Sequence, residues 1–270
     1  MLGLVRRLRA FYGALPAPPS LPFAVYAWEV LSAGTMPARR DAAFGALRQI
    51  RALTPDAIAR VPQAKLEAAV ALAGSLRDER IRALRAGADV FRRTPSFEED
   101  LAAASGGAAH AQCATGASRR ALRAARRLPH LGRASTLRLL LFTGALPVLP
   151  LDEHAFRVAR RLGYASAPRG EHAPPRTSRQ PGDPSAARDE HTLRPTQRLG
   201  HPSAARDDMP LPRALSVVRQ ALTRETGHDV ANLRAVTQYL THHGLSTCTE
   251  ASPHCGVCPI ALDCEWVRRQ

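Results

Sequence analysis

A single lysine, Lys65, stands among the 38 Lys and Arg residues of this 270-residue chain. Schiff-base chemistry by a side-chain amine therefore has one candidate in the whole sequence, because arginine stays protonated and cannot serve. Aromatic residues amount to only 5%. With alanine and leucine dominant, that balance favours helices over strands. No apolar run approaches the length of a membrane span, which argues against a transmembrane helix. Residues 1–12 read as a short basic amphipathic helix rather than a secretion signal, so the expectation is a cytoplasmic chain in a reducing setting. Acidic residues are missing altogether between Asp100 and Asp152.

Within that acid-free stretch lie Arg119, Arg120, Arg123, Arg126, Arg127, Arg133 and Arg138, and the whole chain carries a formal charge of +15. A field of one sign suits a polyanionic partner. In "SRRALRAARRLPHLGR" the arginines recur at helical spacing, so a helix would line them up along one face. A nucleic-acid backbone would neutralise them with release of counterions.

From Leu21 to Arg93 apolar residues return every three or four positions, with Pro or Gly between the segments, and a second such block runs from Met209 into the C-terminal cysteines. This is the pattern of serial helices, and it predicts an all-α protein. Between the blocks, residues 165–212 are rich in Pro, Arg, Ser and Asp and nearly devoid of large apolar side chains, which predicts a disordered insertion. It contains "PSAARD" twice, at 184–189 and 202–207. Cys113 sits in a soft Ala/Gly-rich stretch and reads as a lone thiol.

The other four cysteines, Cys248, Cys255, Cys258 and Cys264, fall within seventeen residues. With no secretion signal, disulfides are disfavoured. Four thiolates suit tetrahedral zinc or an iron–sulfur cluster, and zinc ribbons present two CxxC pairs where this chain has one, which places the cluster ahead of zinc. Upstream, "LPHLGRAS" sets Pro129 and Gly132 between two helical patterns. Such a turn delivers the free N–H groups of a helix N-terminus to an anion, and Arg133 stands beside them. Asp152, directly before "EHAFRVARRLG", has the position of a helix N-cap.

The order of these motifs, with "LDEHAFRVARRLG", "HHGLSTC" and cysteine spacings of six, two and five residues, resembles the endonuclease III superfamily of DNA glycosylases over most of residues 20–163 and 210–270. The resemblance implies a [4Fe-4S] cluster on Cys248, Cys255, Cys258 and Cys264. It implies two helical domains: a helix–hairpin–helix barrel over 21–145, and a cluster domain over 146–270 joined by the N-terminal helix of residues 1–20. Double-stranded DNA with a damaged or mismatched base would lie in the cleft between them, bound by a monomer. Asp152 aligns with the catalytic aspartate of that superfamily. Leu76 matches a loop leucine that wedges into the minor groove, while Arg126, Arg127, His130, Gly132 and Arg133 fall where the hairpin meets phosphate.

Three positions depart from the superfamily's pattern. Ala134 replaces the lysine with which bifunctional members attack the sugar, so the expected reaction is hydrolysis of the N-glycosidic bond by a water held by Asp152. Gly34 replaces a glutamine that fills the hole left by a flipped base. His130 replaces the first hairpin glycine, at a cost if the site needs positive φ. Together these losses keep a non-catalytic damage-binding protein as the alternative, and lyase activity would require an amine from elsewhere.

Overall fold

The structure, a computed structural model, describes residues 1–94, 96–105, 116–164 and 210–270. Cys113, the PSAARD repeats and nearly all of the expected insertion lie outside them. The described residues form thirteen α-helices and no strand: α1 (Leu2–Tyr12), α2 (Pro22–Ser32), α3 (Pro37–Gln49), α4 (Pro55–Arg60), α5 (Gln63–Ala71), α6 (Arg77–Arg93), α7 (Ser96–Ser105), α8 (Gly116–Ala125), α9 (Arg133–Thr143), α10 (Glu153–Arg161), α11 (Leu211–Thr226), α12 (Val230–Ser246) and α13 (Glu265–Arg268). The insertion therefore ends before residue 211, where α11 begins on its proline-capped first turn.

Proline in the first turn starts α2, α3 and α4, where its missing N–H costs nothing. Side-chain caps on Thr54, Asp152 and Asp229 start α4, α10 and α12. Helix α2 is buried on every side from Phe23 to Leu31, the mark of a central helix, and it packs against α3, α6 and α9. Its approach to α6 is so close that a Cβ on Gly87 would lie 2.1 Å from the Tyr26 ring, whose hydroxyl donates to the Ala83 carbonyl at 2.6 Å.

Helix α1 does not join the helices that follow it but packs on α12, 226 residues away along the chain: Tyr239 Oη donates to the Gly13 carbonyl at 2.8 Å. Tyr12 Oη meets His243 Nδ1 and Thr247 Oγ1, both at 2.6 Å. Helix α10 lies tight against α12, where a Cβ on Gly244 would stand 2.7 Å from the His154 carbonyl oxygen. The glycine of "HHGLSTC" is thus a packing requirement that brings the Asp152 end of α10 and the first cysteine together. Arg234 of α12 donates to the Leu141 and Phe142 carbonyls near the end of α9, joining the two groups of helices.

Candidate nucleic-acid interface and cysteine cavity

The stretch read as one arginine-lined helix is divided. Helix α8 ends at Ala125, so Arg126 and Arg127 lie in the turn that follows, not on the helix face with Arg119 and Arg123. Pro129 explains the early stop, because a proline drives the residue before it out of helical geometry. Arg126, Arg127 and Arg133 are all exposed and have no carboxylate partner among the described residues. Arg120 instead reaches Asp100 on α7 at 3.5 Å. His130 is exposed and takes φ 62, a left-handed conformation that costs a side chain with a Cβ about 1 kcal/mol. Gly132 is the N-cap of α9 with an extended backbone, and a Cβ there would meet nothing within 4 Å. Neither its conformation nor its neighbours require a glycine; what its bare backbone leaves open is the approach to the first N–H groups of α9.

Leu76 caps α6 at φ 66 with half its surface exposed. A bulky apolar residue held in a left-handed conformation and turned to solvent is unfavourable on both counts. The buried guanidinium of Arg80 fixes that loop, donating to the Ser75 carbonyl, to the Ala33 carbonyl at 2.7 Å and to Thr35 Oγ1. It thereby ties the Leu76 loop to the loop of Gly34 and Met36, which is exposed as well.

Asp152 sits at the meeting point of four helices. Its Oδ1 accepts from the Ala155 N–H at 2.8 Å, the N-cap bond of α10. Its Oδ2 accepts from Arg138 Nη1 and from Thr241 Oγ1, each at 2.9 Å. A carboxylate offers about four acceptor positions, so one, on Oδ1, is left for a ligand or water. Arg138 also holds Glu29 of α2, with Nε 2.9 Å from both carboxylate oxygens, and reaches Ser135 Oγ at 3.1 Å. Burial disfavours the charge of Arg138, but Glu29 and then Asp152 outweigh burial and hold its pKa above the ordinary arginine value. Two carboxylates share one guanidinium, leaving one formal negative charge.

This network corrects the sequence reading of Arg138, which does not belong to the exposed arginine field. Its guanidinium lies one helical turn beyond Ala134 and points to Asp152. Glu29 and Thr241 were not anticipated at all. Glu29 did leave a signal, as a lone acid inside the otherwise apolar "FAVYAWEVL". Lys65 is exposed on α5, which packs against α3 and α6.

The four C-terminal cysteines line one cavity together with His243, Arg161 and Trp266. All four are free thiols, and among the described residues no three His, Cys, Asp or Glu side chains come together as a single metal ion requires. Four thiols lining one cavity are a donor set that fits an iron–sulfur cluster. Burial pushes the Cys248 and Cys258 thiols up from their ordinary pKa, and a positive centre beside them would favour their thiolates.

No model of a known protein family matches the sequence, and no curated protein matches it. Solved structures do. A trapped endonuclease III–DNA covalent intermediate, an estranged-adenine complex, superposes with a TM-score of 0.57 at 18% identity, covering 98% of this chain and 94% of its own. A non-covalent endonuclease III–DNA complex superposes with a TM-score of 0.58 at 17% identity, covering 99% and 94%. The chain has the endonuclease III fold. Ala134 is the second residue of α9, directly after the hairpin turn.

Proposed function

We propose that the chain is a monofunctional DNA glycosylase of the endonuclease III-like superfamily, which extrudes a damaged or mismatched base from double-stranded DNA and hydrolyses its N-glycosidic bond. The observation that carries this reading is the Asp152 carboxylate. It is fixed by three donors with one acceptor position free, on a fold that recurs in two endonuclease III–DNA complexes. A target base must leave the stack before its sugar can be reached. As the base departs, positive charge develops on the sugar, and a carboxylate already oriented in a partly buried site stabilises it without reorganisation. The free position on Oδ1 takes a proton from the attacking water.

Residues 21–145 and residues 146–270 with 1–20 form the two domains of this reading, and DNA lies between them. Arg126, Arg127, His130, Gly132 and Arg133 hold the phosphates, and Leu76 wedges the minor groove. Cys248, Cys255, Cys258 and Cys264 would hold a [4Fe-4S] cluster, which braces the C-terminal loop and makes or breaks no bond. No amine replaces the one missing at Ala134, so the abasic strand stays intact.

The test is incubation with a panel of duplexes, each carrying one damaged or mismatched base, with every reaction divided into hot-alkali and untreated halves. Strand cleavage only after alkali, absent in Asp152→Asn, is the expected result. Cleavage without alkali contradicts the monofunctional assignment. One observation favours a second reading, a non-catalytic damage-binding protein: the Arg138 guanidinium already neutralises part of the Asp152 charge. Tight binding with no cleavage on any duplex would select it.

A further inference from the structure

Two side chains that the cluster reading leaves unused meet at the cysteine cavity. Trp266, two residues beyond Cys264, lines that cavity with the four cysteines. Its Nε1–H is buried and has no hydrogen-bond partner. An indole N–H can only donate, and a buried donor without an acceptor marks a place where an acceptor is missing. Arg161 stacks on the same ring, its Cζ 5.0 Å from the ring centroid. Arg161 Nη1 donates to Cys248 Sγ at 3.2 Å and to the Thr249 carbonyl at 2.7 Å, and Nη2 donates to the Glu250 carbonyl at 3.2 Å. The Arg161 carbonyl oxygen lies 3.3 Å from Cys264 Sγ. One arginine therefore touches two of the four cysteines and holds the tryptophan in place.

We propose that Trp266 donates its indole N–H to a sulfur of the [4Fe-4S] cluster, and that Arg161 positions the ring while itself donating to Cys248. The proposal rests on the cluster reading above and is independent of any action on DNA. Sulfur atoms in such a cluster are acceptors of the kind the buried donor lacks, and the cavity it lines is walled by the four cysteines, by apolar side chains and by Arg161, His243, Thr247 and His254. Donors to cluster sulfurs stabilise the more reduced, more negative oxidation level. Loss of the indole N–H therefore lowers the reduction potential and hastens oxidative loss of the cluster.

The experiment uses the full chain, reconstituted anaerobically with ferric iron, sulfide and a dithiol reductant, and compares it with Trp266→Phe, which keeps a ring under Arg161 and removes the donor. Resonance Raman bands of the Fe–S stretches are expected to shift in D2O for the parent and to lose that shift in Trp266→Phe. The variant's brown colour should bleach with ferricyanide about tenfold faster. A variant that is folded, brown and identical to the parent in both respects overturns the proposal. Should Trp266→Phe hold no cluster, the parent labelled with 15N-tryptophan decides. Only Trp28 and Trp266 carry the label, and Trp28 packs on Phe44 of α3. Hyperfine coupling from one labelled nitrogen to the cluster, made paramagnetic by one-electron reduction with dithionite, supports the assignment, and its absence from the reduced cluster's signal overturns it. A parent that stays colourless overturns the cluster reading and this proposal together, and leaves the duplex-cleavage test of function standing.

Discussion

Arg126, Arg127 and Arg133 are exposed and have no carboxylate partner among the described residues, whereas Arg138, five residues beyond Arg133, is held by two. One residue type on one short stretch of chain thus does two different jobs. The exposed arginines keep their counterions, and only such charges give up counterions to a polyanion and gain affinity from it. Arg138 has only 17% of its side chain exposed, and its charge is already committed to Glu29 and Asp152. It orders the Asp152 carboxylate and is not free to bind a phosphate. On the proposed function, the hairpin turn binds and the Asp152 pocket reacts.

The largest expected effect breaks the paired side. Arg138→Met leaves Glu29, 1% exposed, as a buried carboxylate without its cation, and should cost about 3–5 kcal/mol in urea unfolding. Arg133→Ala, at an exposed site without such a partner, should stay within about 0.5 kcal/mol of the parent. Equal losses at the two positions would erase the distinction. On the unpaired side, the double variant Arg126→Ala/Arg127→Ala should weaken duplex binding about tenfold and flatten the slope of log affinity against log salt by about 1.8. An unchanged slope would remove this turn from the footprint. The smallest effect is at His130, where glycine relieves the left-handed backbone: His130→Gly should stabilise the fold by about 1 kcal/mol. If stability falls, the imidazole makes a contact that outweighs the strain.

Much of this was legible in the sequence, and the misses at Arg138 and Trp266 share one cause. Helical periodicity and proline placement gave the all-α architecture, and the cysteine spacing brought four thiols to one cavity. The strained position of His130 followed from its place in a turn that elsewhere holds glycine. Arg138 was misread because a charge stripe is a one-dimensional pattern. Its partner Glu29 lies 109 residues earlier, and only the packing of α2 against α9 brings them together. Trp266 was invisible for the same reason, since an unpaired indole N–H is a property of a folded cavity.

The measurement that tests the central claim most directly separates binding from reaction. Single-turnover excision is followed at saturating protein, and affinity is measured in parallel, for Asp152→Asn and for Arg126→Ala/Arg127→Ala on whichever duplex the parent cleaves. The account predicts that Asp152→Asn keeps its affinity and loses about a thousandfold in rate, while the arginine pair loses affinity and keeps its rate once saturated. An Asp152→Asn protein that excises at the parent's rate, or an arginine pair that lowers the saturated rate with affinity unchanged, would contradict it.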